Sequence, residues 1–281
     1  MKLKVWQIDA FTDTVFGGNP AGVVPLDTWL DVKVMQAIAA ENNQAETAFF
    51  ARNASGSFDL RWFTPTSEVD LCGHATLASA YVIFRFLDPS LKEARFQTRS
   101  GELVVRQGAG GRNGMTMPSA SAAPFQAVQG FAEALTKAVG ASAPDELHYA
   151  EKGGAGTGAL IGVWSTPEAV KALKPGPELE ALLLTVKAGS LIATAAGGGN
   201  PYDMVSRFFA PHFGVPEDPV TGSAHTALTP FWAKRLNKSR LLAQQASPRG
   251  GDLLCTHDGS HVILEGACAL YLAGEIETGS G

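Results

Sequence analysis

The sequence is poor in cysteine and in positive charge, and it has no long hydrophobic run. Its three cysteines, Cys72, Cys255 and Cys268, are an odd number and widely spaced, which excludes a disulfide framework and a paired metal motif. A net charge of −5 leaves no basic surface for nucleic acid. No run approaches the roughly 18 apolar residues that span a bilayer, and the short polar N-terminus lacks a signal-peptide pattern. We therefore expect a cytoplasmic protein that binds neither nucleic acid nor membrane.

The composition and length suit a two-lobed globular protein. The chain has 281 residues, of which 45% are hydrophobic and 17% charged, and this length is large for one core. Residues 118–124, rich in serine and alanine, are the best linker candidate. We therefore predict an N-terminal lobe of residues 1–118 and a C-terminal lobe of residues 119–265.

Residues 217–225 (EDPVTGSAH) combine an acid, a hydroxyl, a glycine turn and a helix start. Pro219 and Gly222 break regular structure, and apolar residues recur at helical spacing from Ser223 onward. A helix N-terminus at Gly222 and Ser223 presents unpaired N–H groups and a partial positive charge, which can hold a carboxylate or phosphate. The alternative is an ordinary surface helix, in which Asp218 or Ser223 only satisfies backbone donors.

The same arrangement occurs twice in the chain. Residues 61–65 (RWFTP) are followed eight residues after the proline by Gly73, and residues 207–211 (RFFAP) are followed eleven residues after it by Gly222. An apolar helical pattern follows each glycine. The repeat indicates an internal duplication, and it predicts two similar lobes about a pseudo-twofold axis. We expect the two helix N-termini to form one anion-binding cleft between the lobes.

Glu46 stands at the mouth of an apolar, β-prone run, residues 47–50. A carboxylate in that position is expected to be partly buried and is a candidate for acid–base chemistry. A solvated glutamate at a strand end is the alternative interpretation.

The local patterns predict several further elements. A helix capped by Asp27 or Thr28 is expected to run to about residue 42, and residues 95–107 and 112–117 are expected to pair as a hairpin. A second helix is predicted over residues 131–139, ended by a glycine. Pro230 falls inside the apolar helical pattern after the second glycine turn and is expected to kink that helix.

Two patterns are judged to be structural. The glycine-rich run 153–159 contains a dinucleotide-loop pattern, but residues 160–164 read as a strand where that motif requires a helix. His257 and His261 flank a turn with no third ligand in view, so a surface hairpin is favoured over a metal site.

Taken together, these segments resemble the phenazine-biosynthesis PhzF-like family, whose fold is that of diaminopimelate epimerase. The matching segments, in chain order, are 9–11, 18–23, 46–49, 61–65, 70–76, 207–211 and 217–224. The resemblance implies an α+β fold of two lobes, each a curved β-sheet or barrel wrapped around a central helix. It also implies that the last strand, about residues 266–281, returns to the first lobe, and that the protein is a homodimer.

The characterised chemistry of that family is isomerisation of trans-2,3-dihydro-3-hydroxyanthranilate, in which a glutamate moves a proton between ring carbons. Glu46 matches that glutamate, and His74, Asp218 and Ser223 match the other polar residues of the family's site. The resemblance implies that the helix starts at Gly73–His74 and Gly222–Ser223 bind a small carboxylate substrate. It implies no metal or organic cofactor.

One departure from the parent fold bears on the reaction type. Diaminopimelate epimerase and its racemase relatives use two cysteines, each just before a glycine turn. Cys72 stands at the first of these positions, but Thr221 stands at the second, and a threonine hydroxyl is far too weak an acid to replace a thiol. We therefore favour one-base isomerisation through Glu46. The alternatives are a racemase or epimerase that pairs Glu46 or Cys72 with a base such as Asp218, and a non-catalytic binding or interaction protein.

Overall fold

The computed structural model describes residues 1–151, 158–198 and 201–279, and its architecture is α+β, as predicted. The chain forms two compact units. The first comprises Met1–Thr116 with Glu265–Gly281, and the second comprises Met117–Leu264. Within the described residues, no helix has both the length and the apolar character needed to cross a bilayer.

The described residues contain runs of consecutive strands separated by six α-helices. In chain order the strands are β1 (Lys2–Ala10), β2 (Asn19–Leu26), β3 (Glu46–Arg52), β4 (Phe58–Phe63), β5 (Glu68–Val69), β6 (Glu93–Thr98), β7 (Gly101–Gln107), β8 (Asn113–Pro118), β9 (Ala122–Pro124), β10 (Glu146–Ala150), β11 (Gly158–Val163), β12 (Ala188–Ala196), β13 (Met204–Ala210), β14 (Val215–Asp218), β15 (Arg240–Gln245), β16 (Gly251–Asp258), β17 (His261–Gly266) and β18 (Cys268–Glu277).

The α-helices are α1 (Val32–Asn42), α2 (Gly73–Val82), α3 (Phe131–Val139), α4 (Pro167–Lys171), α5 (Glu178–Thr185) and α6 (Gly222–Leu236). A π-helical turn, Ile83–Leu87, extends α2, and short 3₁₀ turns occur at Ala109–Gly111 and Pro211–Phe213.

In the first unit, the sheet wraps around helix α2. Strand β1 pairs antiparallel with both β18 and β2. Next come a parallel β2–β3 pair, an antiparallel β3–β4 pair, a parallel β4–β6 pair and the antiparallel β6–β7–β8 strands. Parallel neighbours need a crossover, and α1 and α2 provide the two required. Nearly every residue of α2 is buried, and the helix contacts β1, β2, β3, β7 and β18. A helix that is apolar all round belongs in a core.

The second unit repeats this connectivity around helix α6. Strands β10 and β11 are antiparallel, β11 and β12 parallel, β12 and β13 antiparallel, β13 and β15 parallel, and β15 and β16 antiparallel. Helices α4 and α5 form the first crossover and α6 forms the second. Most of α6 is buried, while α3, α4 and α5 cover the other face of the sheet with an apolar cluster that includes Leu135, Leu183 and Leu191.

The duplication extends to individual side chains. Both units contain a bidentate ion pair between the arginine that precedes the glycine turn and a following glutamate. The Nε and Nη2 atoms of Arg61 lie 2.7 and 2.8 Å from the two carboxylate oxygens of Glu68. Those of Arg207 lie at the same 2.7 and 2.8 Å from Glu217. Such charge-assisted forks fix the geometry of the chain on either side, and here each fixes the segment that leads into the helix start.

Several local predictions need correction. Helix α1 is capped by Asp31, whose side chain accepts from the backbone N–H of Lys33, and not by Asp27 or Thr28. All three are residue types that favour an N-cap, and apolar spacing cannot choose among them. Residues 95–107 form two strands, not one, because the chain turns at Gly101, whose φ is 97°. Strand β15 was not predicted at all.

Helix α6 continues for six residues beyond Pro230. A proline has no N–H to donate to the carbonyl four residues earlier, which here is that of Thr226. That carbonyl instead accepts a hydrogen bond of 3.1 Å from the backbone N–H of Ala120. The segment expected to be a linker is therefore bonded to the helix, and part of it forms strand β9, paired with β10. Residues 152–157, most of the glycine-rich run, lie outside the described residues, and β11 follows as a strand, as expected.

Candidate functional site

Glu46 is the first residue of β3, directly after the turn that ends α1. The C-cap of α1, Asn43, adopts a left-handed conformation with φ of 49°, and β3 then pairs in parallel with β2. The following residues of β3 are buried up to Ala51, whereas the Glu46 side chain keeps 20% of its surface exposed. The carboxylate thus stands at the edge of the apolar core, as its sequence context predicted.

Helix α2 brings His74 to Glu46. The N-cap of α2 is Cys72, in an extended conformation, and His74 is the second residue of the first turn. Its Nε2 lies 3.1 Å from Oε2 of Glu46, and its Nδ1 lies 3.5 Å from Sγ of Cys72. Cys72 and His74 are 6% and 5% exposed. The three side chains form a compact carboxylate–imidazole–thiol cluster.

Burial and mutual charge shift the pKa of two of these groups. Burial disfavours a charged imidazole, yet the pKa of His74 is raised well above its ordinary value because Cys72 and Glu46 favour the imidazolium. Burial raises the pKa of the Cys72 thiol to about 11, and the neighbouring charge of Glu46 adds to this effect. At neutral pH the Cys72 thiol is therefore protonated and neutral, and the neighbouring Glu46 favours the charged form of His74.

The Glu46 carboxylate retains one oxygen with open bonding capacity. Its Oε2 is within ion-pair distance of His74, but it is buried without an aligned hydrogen bond to any group in the described chain. A buried acceptor in this state is costly, and it is suited to accept a proton or to bind a ligand. Glu46, Cys72 and His74 are also the group of described residues whose donor atoms could hold a metal ion.

In the second unit, Asp218 is held by a network at the start of α6. Its Oδ2 accepts from the hydroxyl of Thr221 at 2.5 Å. Gln245, at the end of β15, donates to the carbonyl of Asp218 at 2.7 Å and to the Thr221 hydroxyl at 3.1 Å, and accepts from the Thr221 N–H at 2.8 Å. Ser247 adds a hydrogen bond to the carbonyl of Pro219. The turn that holds Asp218 is therefore fixed from several directions.

Gly222 and Ser223 form the first turn of α6, as predicted. Gly222 is buried and Ser223 half-buried, and the Ser223 carbonyl accepts from the hydroxyl of Thr226. Thr221 at the N-cap directs its hydroxyl to Asp218. The structure thus brings Glu46 together with His74 in the first unit, and it holds Asp218 and Ser223 on the same turn in the second.

Sequence reasoning missed two polar residues of the second unit. Gln245 is 1% exposed, but it lies 24 residues from Thr221 in a strand that was not predicted, so no local pattern could identify it. His225 ends the motif and is fully buried. Its Nδ1 donates to the carbonyl of Thr221 at 2.8 Å, and burial lowers its pKa to about 4. His225 is therefore a neutral structural residue near pH 7.

Comparison with known proteins identifies the family of the chain. The family model described as phenazine biosynthesis-like protein matches residues 8–274. An uncharacterized isomerase of Pseudomonas aeruginosa is 44% identical over 98% of this chain and 99% of its own. The crystal structure of a PhzF-family phenazine biosynthesis protein from Enterococcus faecalis has a TM-score of 0.89 and 36% identity, over 99% of this chain and 100% of that one.

A more distant likeness concerns the fold alone. The structure of a predicted epimerase from Pseudomonas aeruginosa has a TM-score of 0.81 at 21% identity, over 98% of this chain and 99% of that one. The fold is thus of the PhzF and epimerase type, and the nearer relatives support an isomerase or epimerase type of activity. By the near-complete match of the family model and of these relatives, the chain belongs to the PhzF-like family of phenazine biosynthesis-like proteins.

Proposed function

We propose that the protein is an isomerase that moves a proton between two carbons of a small, cyclic carboxylate, with Glu46 as the single base. The observation that supports this most directly is the geometry of Glu46. Its Oε2 is buried, lies 3.1 Å from a histidine whose pKa is raised, and has no aligned hydrogen bond within the described chain. A carboxylate with this bonding capacity can take a proton from carbon and return it to another carbon.

Two further groups have roles in this proposal. The first-turn N–H groups of α2, at Gly73 and His74, would bind the substrate carboxylate, because a helix N-terminus presents unpaired donors and a partial positive charge. The imidazolium of His74 would hold the Glu46 carboxylate in place and stabilise negative charge that develops on the substrate. In the second unit, the first turn of α6 at Gly222 and Ser223, beside Asp218, would offer donors of the same kind to a carboxylate.

Two features disfavour a two-base epimerase or racemase. With its pKa raised to about 11, the Cys72 thiol is protonated at neutral pH and provides little thiolate to act as a base. At the second position, the Thr221 hydroxyl is already the donor of a 2.5 Å hydrogen bond to Asp218. Glu46 remains the group best suited to exchange a proton with carbon.

The test measures, by NMR, the incorporation of deuterium at carbon when the reaction is run in D₂O. The protein would be incubated with trans-2,3-dihydro-3-hydroxyanthranilate and with a panel of cyclic and amino carboxylates. Glu46→Gln keeps the shape of the side chain and removes the base, so exchange should fall by at least roughly 10²–10⁴-fold. Glu41→Gln, at an exposed position on α1, is the matched control and should exchange at the wild-type rate.

Each alternative predicts a different result. Exchange that survives in Glu46→Gln would show that another residue is the base. Exchange at a stereocentre with interconversion of the two stereoisomers would favour the epimerase or racemase. Failure of every carboxylate to exchange, combined with binding of one of them, would favour the non-catalytic protein.

A further inference from the structure

The cluster of Glu46, Cys72 and His74 has the composition and spacing of a three-ligand metal site. The three side chains offer a carboxylate oxygen, a thiol sulfur and an imidazole nitrogen, all within 4.8 Å of one another. Nε2 of His74 lies 3.1 Å from Oε2 of Glu46 and 3.9 Å from Sγ of Cys72. Tetrahedral zinc, with bonds of about 2.0–2.3 Å, requires neighbouring donors roughly 3.3–3.6 Å apart. The two separations that involve His74 differ from this range by a few tenths of an ångström, and the Glu46–Cys72 separation, at most 4.8 Å, is adjusted by rotation of the Glu46 side chain.

We propose that Glu46, Cys72 and His74 bind one thiophilic divalent cation, of which Zn²⁺ is the type, and that the bound cation blocks the isomerase. Cys72 and His74 are fixed by the first turn of α2 and are almost fully buried, so two of the ligands are already in position. The Glu46 side chain is 20% exposed, so a cation can enter the cluster from solvent on that side. Because zinc takes four ligands and the cluster supplies three, water would occupy the fourth position. A coordinated thiol loses its proton outright, which makes sulfur a strong ligand despite its burial.

The donor set also predicts which cations bind. Thiolate and imidazole ligands favour zinc and cobalt, whereas magnesium and calcium prefer sites made of oxygen ligands. The oxygen that would bind the cation, Oε2 of Glu46, is also the atom proposed to take the substrate proton. A cation bound there would remove its free lone pair. This inhibitory step rests on the proposed function, but binding itself does not.

The experiment uses full-length protein with Cys255→Ser and Cys268→Ser, so that Cys72 is the one remaining thiol. Both replaced cysteines lie outside the cluster. Calorimetric titration with Zn²⁺ should give one cation per chain, and Mg²⁺ should give none. Addition of Co²⁺ should produce a thiolate-to-cobalt charge-transfer absorption in the near ultraviolet.

Single substitutions then test each ligand. In this background Cys72→Ser should remove the charge-transfer band. Each of the three ligand variants, Cys72→Ser, His74→Gln and Glu46→Gln, should weaken Zn²⁺ binding by at least about 10–100-fold, which is the loss found when only an outer-shell partner of a ligand is replaced. Glu41→Gln should bind Zn²⁺ like its parent. Circular dichroism and the melting temperature of each variant report whether it is folded. If one ligand variant is not folded, the other two still decide the result.

Several results would overturn the proposal. These are the absence of Zn²⁺ binding, a charge-transfer band that persists in Cys72→Ser, and equal binding of Mg²⁺. If Zn²⁺ binds with cysteine ligation but deuterium exchange continues at saturation, the inhibitory part is wrong and the site stands. Because binding is read by calorimetry and absorption, a protein that exchanges no carboxylate would refute the isomerase and leave the metal site to be decided by those two measurements.

Discussion

Thr221 is the residue at which this chain departs most clearly from a two-cysteine epimerase, and its contacts suggest what replaced the thiol. Its hydroxyl donates to Asp218 and accepts from the buried amide of Gln245. A threonine in this position exchanges no proton with carbon. Its hydroxyl instead orients the Asp218 carboxylate, which under the proposed one-base function would belong to a substrate-binding turn.

Replacing Thr221 tests this orienting role. Thr221→Val removes the hydroxyl at nearly constant shape, so Asp218 loses its 2.5 Å hydrogen bond and stability should fall by about 1–2 kcal/mol. If Asp218 helps to bind the substrate as proposed, its misplacement is costly, and kcat/KM for the carboxylate identified by exchange should fall by roughly 10²-fold. Thr221→Ser restores the hydroxyl and should recover most of the activity. If Thr221→Val keeps the wild-type activity, the orienting role is wrong.

At the scale of elements, the two arginine–glutamate forks provide a matched pair for experiment. Arg207 is more buried than Arg61, with side-chain exposures of 9% and 23%. Its Nη1 also donates to the carbonyl of Leu173 at 2.6 Å, just beyond the end of α4. In the first unit, Glu68 has a second partner, Arg99, at 2.8 Å. The first pair can therefore lose its arginine at a lower cost than the second.

Methionine at each arginine should separate the two cases. Arg207→Met leaves the half-buried Glu217 and the buried Leu173 carbonyl without their partner, and should lower the free energy of unfolding by about 3–5 kcal/mol. Arg61→Met should cost about 1 kcal/mol, because Glu68 keeps Arg99 and Arg61 itself is more exposed to solvent than Arg207. Urea unfolding of the two variants, followed by circular dichroism, provides the comparison. Equal losses of unfolding free energy in the two variants would show that burial of the arginine does not decide the cost of its removal.

The elements that the sequence predicted are those with a local physical signal. Glycine and proline mark the turns before α2 and α6, apolar spacing marks the helices, and Gly140 ends α3 in a left-handed conformation. The prediction failed where several residues offer the same signal, as with the three possible caps of α1. It also failed for contacts made across the chain, such as that of Gln245 with Asp218, because an uncharged amide in an unpredicted strand has no local signature.

At the scale of the whole molecule, the duplicated connectivity is preserved while the chemistry of the two helix starts has diverged. The first has a carboxylate, an imidazole and a thiol, and the second has a carboxylate, hydroxyls and an amide. The histidines diverge as well. His74 has a raised pKa beside Glu46, whereas His225 makes hydrogen-bond contacts only with the uncharged Thr221 carbonyl and Ser206 hydroxyl among the described residues, and its pKa is lowered to about 4. The two groups therefore affect global stability in opposite pH ranges.

His225 should make the protein less stable in mild acid. Between its unfolded pKa near 6.5 and its folded pKa of about 4, the unfolded chain binds the proton and the native state does not, so stability falls as the pH decreases through this range, by up to about 3 kcal/mol. His74 does not oppose this loss, because a raised pKa contributes stability that is already complete below pH 6.5 and declines only as the pH rises.

Replacing His225 tests this pH dependence. His225→Asn keeps an N–H donor for the Thr221 carbonyl without the titration, and should reduce the change of melting temperature with pH between pH 7 and pH 4. His261→Asn, at an exposed position, should keep the wild-type slope. An unchanged slope in His225→Asn would mean that another group senses acid.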